Sequence, residues 1–162
     1  MLIFKNIKIF GNGDYCEKTI NDGYIIYGRS DATLNAGGVR IGTSEIYRVV
    51  ENIDKIIECV AVERSLYTDT EVILFVKLNS NTGLDDILIK NIKLEIRTNL
   101  SPKHIPSKIF EVSDIPKTKS GKIVELSIKN IINGMAIENE NALANPDCLK
   151  EYQSIYYLLK EN

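Results

Sequence analysis

No tryptophan, a single histidine (His104) and three widely spaced cysteines (Cys16, Cys59 and Cys148) leave little material for a metal centre in these 162 residues. An odd number of cysteines in no ligand-type spacing argues against a structural zinc site, and metal-site residues are expected to be none. Charge of one sign is lacking too. The 20 basic and 22 acidic residues give a net charge of -2 with no long like-charged block, which excludes a nucleic-acid-binding arm. No run approaches the ~20 apolar residues needed to span a bilayer. Met1-Leu2-Ile3-Phe4-Lys5 opens a stretch too short for a signal peptide, with no small-residue cleavage site. A cytoplasmic protein with reduced thiols, no nucleic-acid partner and no membrane span is the reading these absences leave.

What is present is enough apolar residue, 44%, to build a core. Tyr15 to Thr19 and Tyr24 to Tyr27 are strand candidates joined by Asn21-Asp22-Gly23, a hairpin-forming turn. From Thr43 the pattern becomes helical, with Ile46, Val49, Val50 and Ile53 on one face and Thr43 or Ser44 placed to cap it. Strands follow at Ile56 to Val62 and Glu71 to Leu78. Thr82-Gly83-Leu84-Asp85-Asp86 then opens a helix with buried face Leu84, Leu88, Ile92 and Ile96, which Pro102 stops from running far beyond Leu100. A third strand, Lys108 to Val112, precedes a loop, a helix over Val124 to Ile132 and a polar stretch. Asn145-Pro146-Asp147 supplies a cap and a first-turn proline for a last helix that buries Leu149, Tyr152, Tyr156 and Leu159. The fold class expected is α+β: a small three-stranded sheet covered by helices, with an N-terminal β-hairpin and a C-terminal helical extension.

The segments with chemical content are loops. Thr118-Lys119-Ser120-Gly121-Lys122 combines glycine, which permits close backbone approach, with mobile ammonium groups suited to phosphate oxygens. The Walker A spacing is absent. Taken alone, this is an ordinary solvated turn, Gly37-Gly38 is an ordinary tight turn, and Arg29 with Asp31 is an ordinary surface ion pair. His104 beside Pro106 is a structural or exposed loop histidine. Cys59, within an apolar strand, is a small core residue.

In combination they say more. Gly13-Asp14-Tyr15, then Gly28-Arg29-Ser30-Asp31 running on to Asn35-Ala36-Gly37-Gly38-Val39-Arg40-Ile41-Gly42, then Ile115-Pro116-Lys117-Thr118-Lys119-Ser120-Gly121-Lys122, resemble in order the last three signature motifs of the acyl-adenylate-forming (AMP-binding, acyl-CoA synthetase) superfamily. Leu100-Ser101-Pro102-Lys103-His104-Ile105-Pro106 and Asn141-Ala142-Leu143-Ala144-Asn145-Pro146 resemble its acetoacetyl-CoA synthetase branch. The resemblance runs from about Gly11 to Tyr152. It implies the following roles. Asp14 and Arg29 contact the ribose of ATP or AMP; Asp31 is the hinge; Gly37, Gly38 and Val39 line the coenzyme A tunnel; Arg40 lies near the reacting groups as part of the nucleotide-binding set. Lys122 is the catalytic lysine that stabilises charge as the adenylate forms. Mg2+ would come with ATP and be held by a large N-terminal adenylation domain.

Two positions depart from the family pattern. Ala36 replaces a usual proline, and Lys103 replaces a usual arginine, turning a planar fork into a point charge. The large domain, with its phosphate loop and acyl pocket, has no counterpart here. Residues 1–30 are therefore expected to be a hairpin of that large domain up to the hinge, residues 31–135 the C-terminal lid domain, and residues 136–162 the helical extension. The function implied is the lysine-bearing part of an acid–thiol ligase acting on a small carboxylic acid with ATP and coenzyme A, inactive as an isolated chain. The alternative is a non-catalytic nucleotide- or CoA-binding module, or a decayed remnant of such a ligase.

Overall fold

The computed structural model describes residues 7–10, 14–29, 33–36, 38–137 and 140–161. Its centre is a three-stranded sheet of β6 (Ile56–Ser65), β7 (Thr70–Leu78) and β8 (Lys108–Glu111). Strand β7 lies in the middle, antiparallel to β6 and parallel to β8. A parallel neighbour requires a crossover, and α2 (Asp86–Asn99) supplies it. Because helices cover both faces, β6 and β7 are nearly continuous hydrophobic runs. Cys59, Ala61, Val72, Leu74 and Val76 face one core, built with Ile46 and Val50 of α1 (Thr43–Val50) and Leu88, Ile92 and Ile96 of α2. Val60, Val62, Ile73 and Phe75 face the other, built with α3 (Glu125–Ile132) and α4 (Leu149–Glu161).

The C-terminal extension therefore forms much of the second core. Tyr152 has no exposed surface, and its ring lies 4.9 Å from that of Phe75 between centroids. Leu143, Leu149, Ile155 and Leu159 complete the layer. The buried stripe of α4 includes Ile155, while the expected Tyr156 is only partly buried at its edge.

Two smaller sheets precede the centre. The expected N-terminal hairpin is present as β2 (Asp14–Lys18) and β3 (Tyr24–Arg29), closed by a bond from Thr19 N to Gly23 O of 2.8 Å. A further strand, β1 (Ile7–Phe10), pairs antiparallel with β2, so the hairpin is a three-stranded meander. A short antiparallel pair, β4 (Leu34–Ala36) and β5 (Val39–Ile41), precedes α1 and buries Leu34 and Ile41 in the first core.

Helix caps are mixed. Asp85 caps α2 as its acidic first turn suggests, its side chain accepting from Leu88 N at 2.7 Å. Neither Thr43 nor Ser44 caps α1. Gly42 is the capping residue and makes no side-chain bond, while Thr43 is buried and donates its hydroxyl to Glu125 at 3.2 Å. A long-range carboxylate thus takes the hydroxyl that local pattern assigns to the helix end.

Candidate functional site

Lys122 stands on a small hairpin after β8. Lys117 and Ile123 pair antiparallel, Thr118 N donates to Lys122 O at 2.8 Å, and Gly121 N donates to Thr118 O at 2.8 Å. Such a tight reversal needs one residue in the left-handed region, and Gly121 provides it at φ +83°. The Thr118 hydroxyl accepts from Lys122 N at 3.1 Å and lies 2.9 Å from the Ser120 hydroxyl. The Thr-x-Ser-Gly-Lys order thus satisfies its own backbone while leaving the Lys122 side chain outside.

Three lysines share this hairpin, and their surroundings separate them. The Lys117 ammonium lies 2.8 Å from Glu58 of β6, and that hydrogen bond raises it above its ordinary range. It is committed to the fold. Lys119 and Lys122 are exposed, and no described residue engages the Lys122 ammonium. A charge at the tip with no internal counter-ion is available to an external anion.

The base of the hairpin is bonded from three sides. Asn145 accepts from Lys117 N at 2.9 Å and donates to Asp114 Oδ2 at 2.6 Å and Ile115 O at 2.9 Å. Lys77 donates to the other Asp114 oxygen at 2.7 Å, and the Tyr152 hydroxyl donates to Asp114 O at 3.0 Å. Burial alone would raise the Asp114 carboxyl, but the hydrogen bonds from Lys77 and Asn145, with the Lys77 charge, outweigh it and hold the group below the usual carboxylate range. The expected role of Asn145 as a helix cap is not found: its side chain makes no cap bond, being spent on this loop 28 to 31 residues away.

The other expected site residues are dispersed. Asp14 and Arg29 are register partners on β2 and β3, which brings the two expected ribose contacts opposite each other across one strand pair. Asp31 and Gly37 lie outside the described residues. Gly38 turns at φ +77°, where a Cβ would meet no atom within 4 Å, so its conformation, not crowding, calls for glycine. Val39 follows it in β5, and Arg40 is exposed on the same strand. Asn35 N donates to Glu63 at 2.6 Å, tying this turn to β6. Lys103 is exposed on the turn after α2.

Residues without an expected role take structural ones. His104 lies 3.0 Å from Glu45 and 2.9 Å from the Ser101 hydroxyl, as a structural histidine does. Cys59 is fully buried, and burial beside Glu51 and Glu58 drives its thiol far from the thiolate a nucleophile needs. Among the described residues no group of three or more His, Cys, Asp or Glu is placed to hold a metal ion, and no helix is long and apolar enough to cross a membrane. A hollow of about 570 Å³, open to solvent, lies between α1 and α2 against Ile25, lined by Glu45, Arg48, Asn52 and Glu95. It does not include the Lys122 hairpin.

Sequence reasoning missed Asn145 as a loop-holding residue, and missed the Lys117–Glu58 pair. The branch-like Asn141 to Pro146 motif was the available signal for the first.

The model of the AMP-binding enzyme C-terminal domain matches residues 45–122, ending on Lys122. The acetoacetyl-coenzyme A synthetase of Rhizobium meliloti (strain 1021) is 48% identical over 142 residues, covering 88% of this chain and 22% of that protein. The acetoacetyl-CoA synthetase of Caenorhabditis elegans is 42% identical over 146 residues, covering 88% of this chain and 21% of that protein. The solved acetoacetyl-CoA synthetase from Streptomyces lividans superposes with a TM-score of 0.81 at 36% identity, over 90% of this chain and 22% of that one. This chain thus spans about one-fifth of the length of the relatives it matches. In fold and in sequence, the chain belongs to the AMP-binding enzyme C-terminal domain family and is similar to about one-fifth of the length of acetoacetyl-CoA synthetases.

Proposed function

We propose that this chain supplies the mobile, lysine-bearing part of an acetoacetyl-CoA synthetase-like acid–thiol ligase. The reaction is a small carboxylate plus ATP giving an acyl-adenylate and pyrophosphate, then attack by the coenzyme A thiol giving acyl-CoA and AMP. Lys122 stabilises the charge that develops as carboxylate oxygen meets the α-phosphate; it needs no proton transfer to do so. Asp14 accepts hydrogen bonds from the ribose hydroxyls and Arg29 contacts the same sugar, with Asp31 as the hinge between two poses. Gly37, Gly38 and Val39 line the path of coenzyme A in the second pose, and Arg40 lies near the reacting groups. Mg2+ enters with ATP and is held by the large domain. A cytoplasmic setting suits these substrates.

The observation that carries the reading is an exposed Lys122 whose ammonium no described residue engages, on a hairpin whose base is bonded from three sides. Such a lysine requires a reaction chamber from another body, which the large domain provides. Alone, the chain is expected to form no acyl-CoA from acetoacetate, ATP and coenzyme A. In a holoenzyme where it replaces the matching segment of the Rhizobium meliloti relative, activity should return. Lys122→Ala there should lower adenylate formation by roughly 10²–10³-fold, the scale for losing one charge-stabilising group, while thioester formation from preformed adenylate stays within a few-fold. Turnover by the isolated chain, or an unchanged adenylation rate in Lys122→Ala, would refute it.

A further inference from the structure

Resting on that reading of Lys122, we propose that Asn145, in the C-terminal extension, is a positioning residue for adenylation: it braces the Lys122 hairpin and fixes where the ammonium can reach. The hairpin has little core of its own. Its base is held by the extension through both backbone groups of Lys117, whose N–H donates to Asn145 Oδ1 at 2.9 Å and whose carbonyl accepts from Ala144 N at 2.8 Å. Thr118 pairs with Leu143 as well, so residues 143–145 run beside the hairpin as a third strand-like segment. The Asn145 amide also reaches back to Asp114 and Ile115, the residues that lead into the hairpin, and Asp114 is itself fastened to β7 by Lys77.

One side chain therefore joins the sheet, the incoming loop and the extension at the point from which Lys122 projects. Asn is suited to this because one planar amide offers an acceptor on one side and two donors on the other. An aspartate would keep the acceptor for Lys117 N, lose both donors, and set a second carboxylate against Asp114. Misplacement by about 1 Å costs on the order of 10²-fold in a step that depends on near-attack geometry. Adenylation should feel this loss. The second half-reaction, which in the proposed reading uses the other pose and the Gly37 to Val39 turn, should not.

The test has two arms. In the full chain, amide exchange followed by NMR should show Lys117, Thr118 and Lys122 exchanging at least 10-fold faster in Asn145→Ala, with the β6 and β7 core amides of Val60 and Phe75 unchanged. A merely structural residue would accelerate the core amides equally, and that result would overturn the proposal. In the holoenzyme described above, Asn145→Ala and Asn145→Asp should lower the adenylation kcat at least 10-fold with the KM for ATP within about 2-fold and thioester formation unaffected. Adding Asp114→Asn to Asn145→Asp restores a donor–acceptor pair and should recover several-fold of the loss. Equal losses in both half-reactions, or no recovery in the double variant, would overturn it. Were Lys122→Ala to leave adenylation intact, the proposed function would fail instead, while the exchange arm would still report on the brace.

Discussion

Replacing Tyr152 measures how firmly the C-terminal extension is part of the fold. The ring is fully buried at 4.9 Å from Phe75, and its hydroxyl donates to Asp114 O at 3.0 Å. Tyr152→Phe keeps the packing and removes one hydrogen bond, a net loss of about 1 kcal/mol. Tyr152→Ala also removes the ring from a close-packed layer, a loss of roughly 3–5 kcal/mol. For a chain of this size each kcal/mol lowers the melting temperature by about 2–4 °C. The phenylalanine variant should therefore melt roughly 2–4 °C below the parent, and the alanine variant roughly 6–20 °C below it. Thermal unfolding followed by circular dichroism and by calorimetry gives both numbers. A single transition in the parent is part of the expectation, because α4 shares its core with β6, β7 and α3. If the alanine variant melted within about 2 °C of the parent, or if the extension melted in a separate earlier step, the claim that this segment is integral to the core would be wrong.

Three further outcomes follow from the geometry. Gly121→Ala meets no atom within 4 Å but forces an L side chain to φ +83°, so stability should fall by roughly 1–2 kcal/mol in urea unfolding with an unchanged slope. Tyr47→Phe removes a hydroxyl that donates to Glu125 and accepts from Ala61 N at 3.2 Å; leaving the Ala61 N–H without its acceptor and Glu125 with one donor fewer should cost roughly 1–3 kcal/mol in the same assay. The Asp114 carboxyl is held below its unfolded value, so its contribution is present above the ordinary aspartate pKa of about 3.9 and disappears as pH falls through the folded value. Urea midpoints between about pH 6 and pH 3 should therefore decline less steeply in Asp114→Asn than in the parent, and equal slopes would contradict the assignment.

Most of the central layer was legible because it is written in periodicity. Leu88, Ile92 and Ile96 recur at helical spacing, Asp85 precedes them as an acceptor, and the structure uses all four locally. Strands β6, β7 and β8 begin within a residue of their expected starts, their alternate residues serving two cores. What escaped is long-range polar partnering. Thr43 reads as a cap, yet its hydroxyl goes to Glu125, 82 residues on. Asn145 reads as a cap, yet its amide goes to Asp114, Ile115 and Lys117. In both cases a residue with good local prospects is held by a distant partner instead: a half-buried carboxylate at the start of α3 for Thr43, and the loop after β8 for Asn145. Short pairs such as β4 and β5 escaped for a different reason: three residues are too few to display a period.

The candidate site divides along the same line. Its tip was readable only through resemblance, because a lysine proposed to act in another body's chamber has no partner among the described residues to set it apart from any solvated lysine. Its base was hardly readable: beyond the hint in the Asn141 to Pro146 motif, the groups that hold it come from β6, β7 and the extension, up to 59 residues away in sequence for Glu58 and Lys117. Those two properties belong together. An ammonium that no described residue engages can take up an anion it meets only on docking, and a base bonded from three sides lets the position of the whole body decide where that ammonium goes. A floppy base would return the choice to the loop and forfeit the geometric control that a domain movement offers. The cluster around Asn145 is therefore where the fold of this chain and its proposed chemistry are most directly joined.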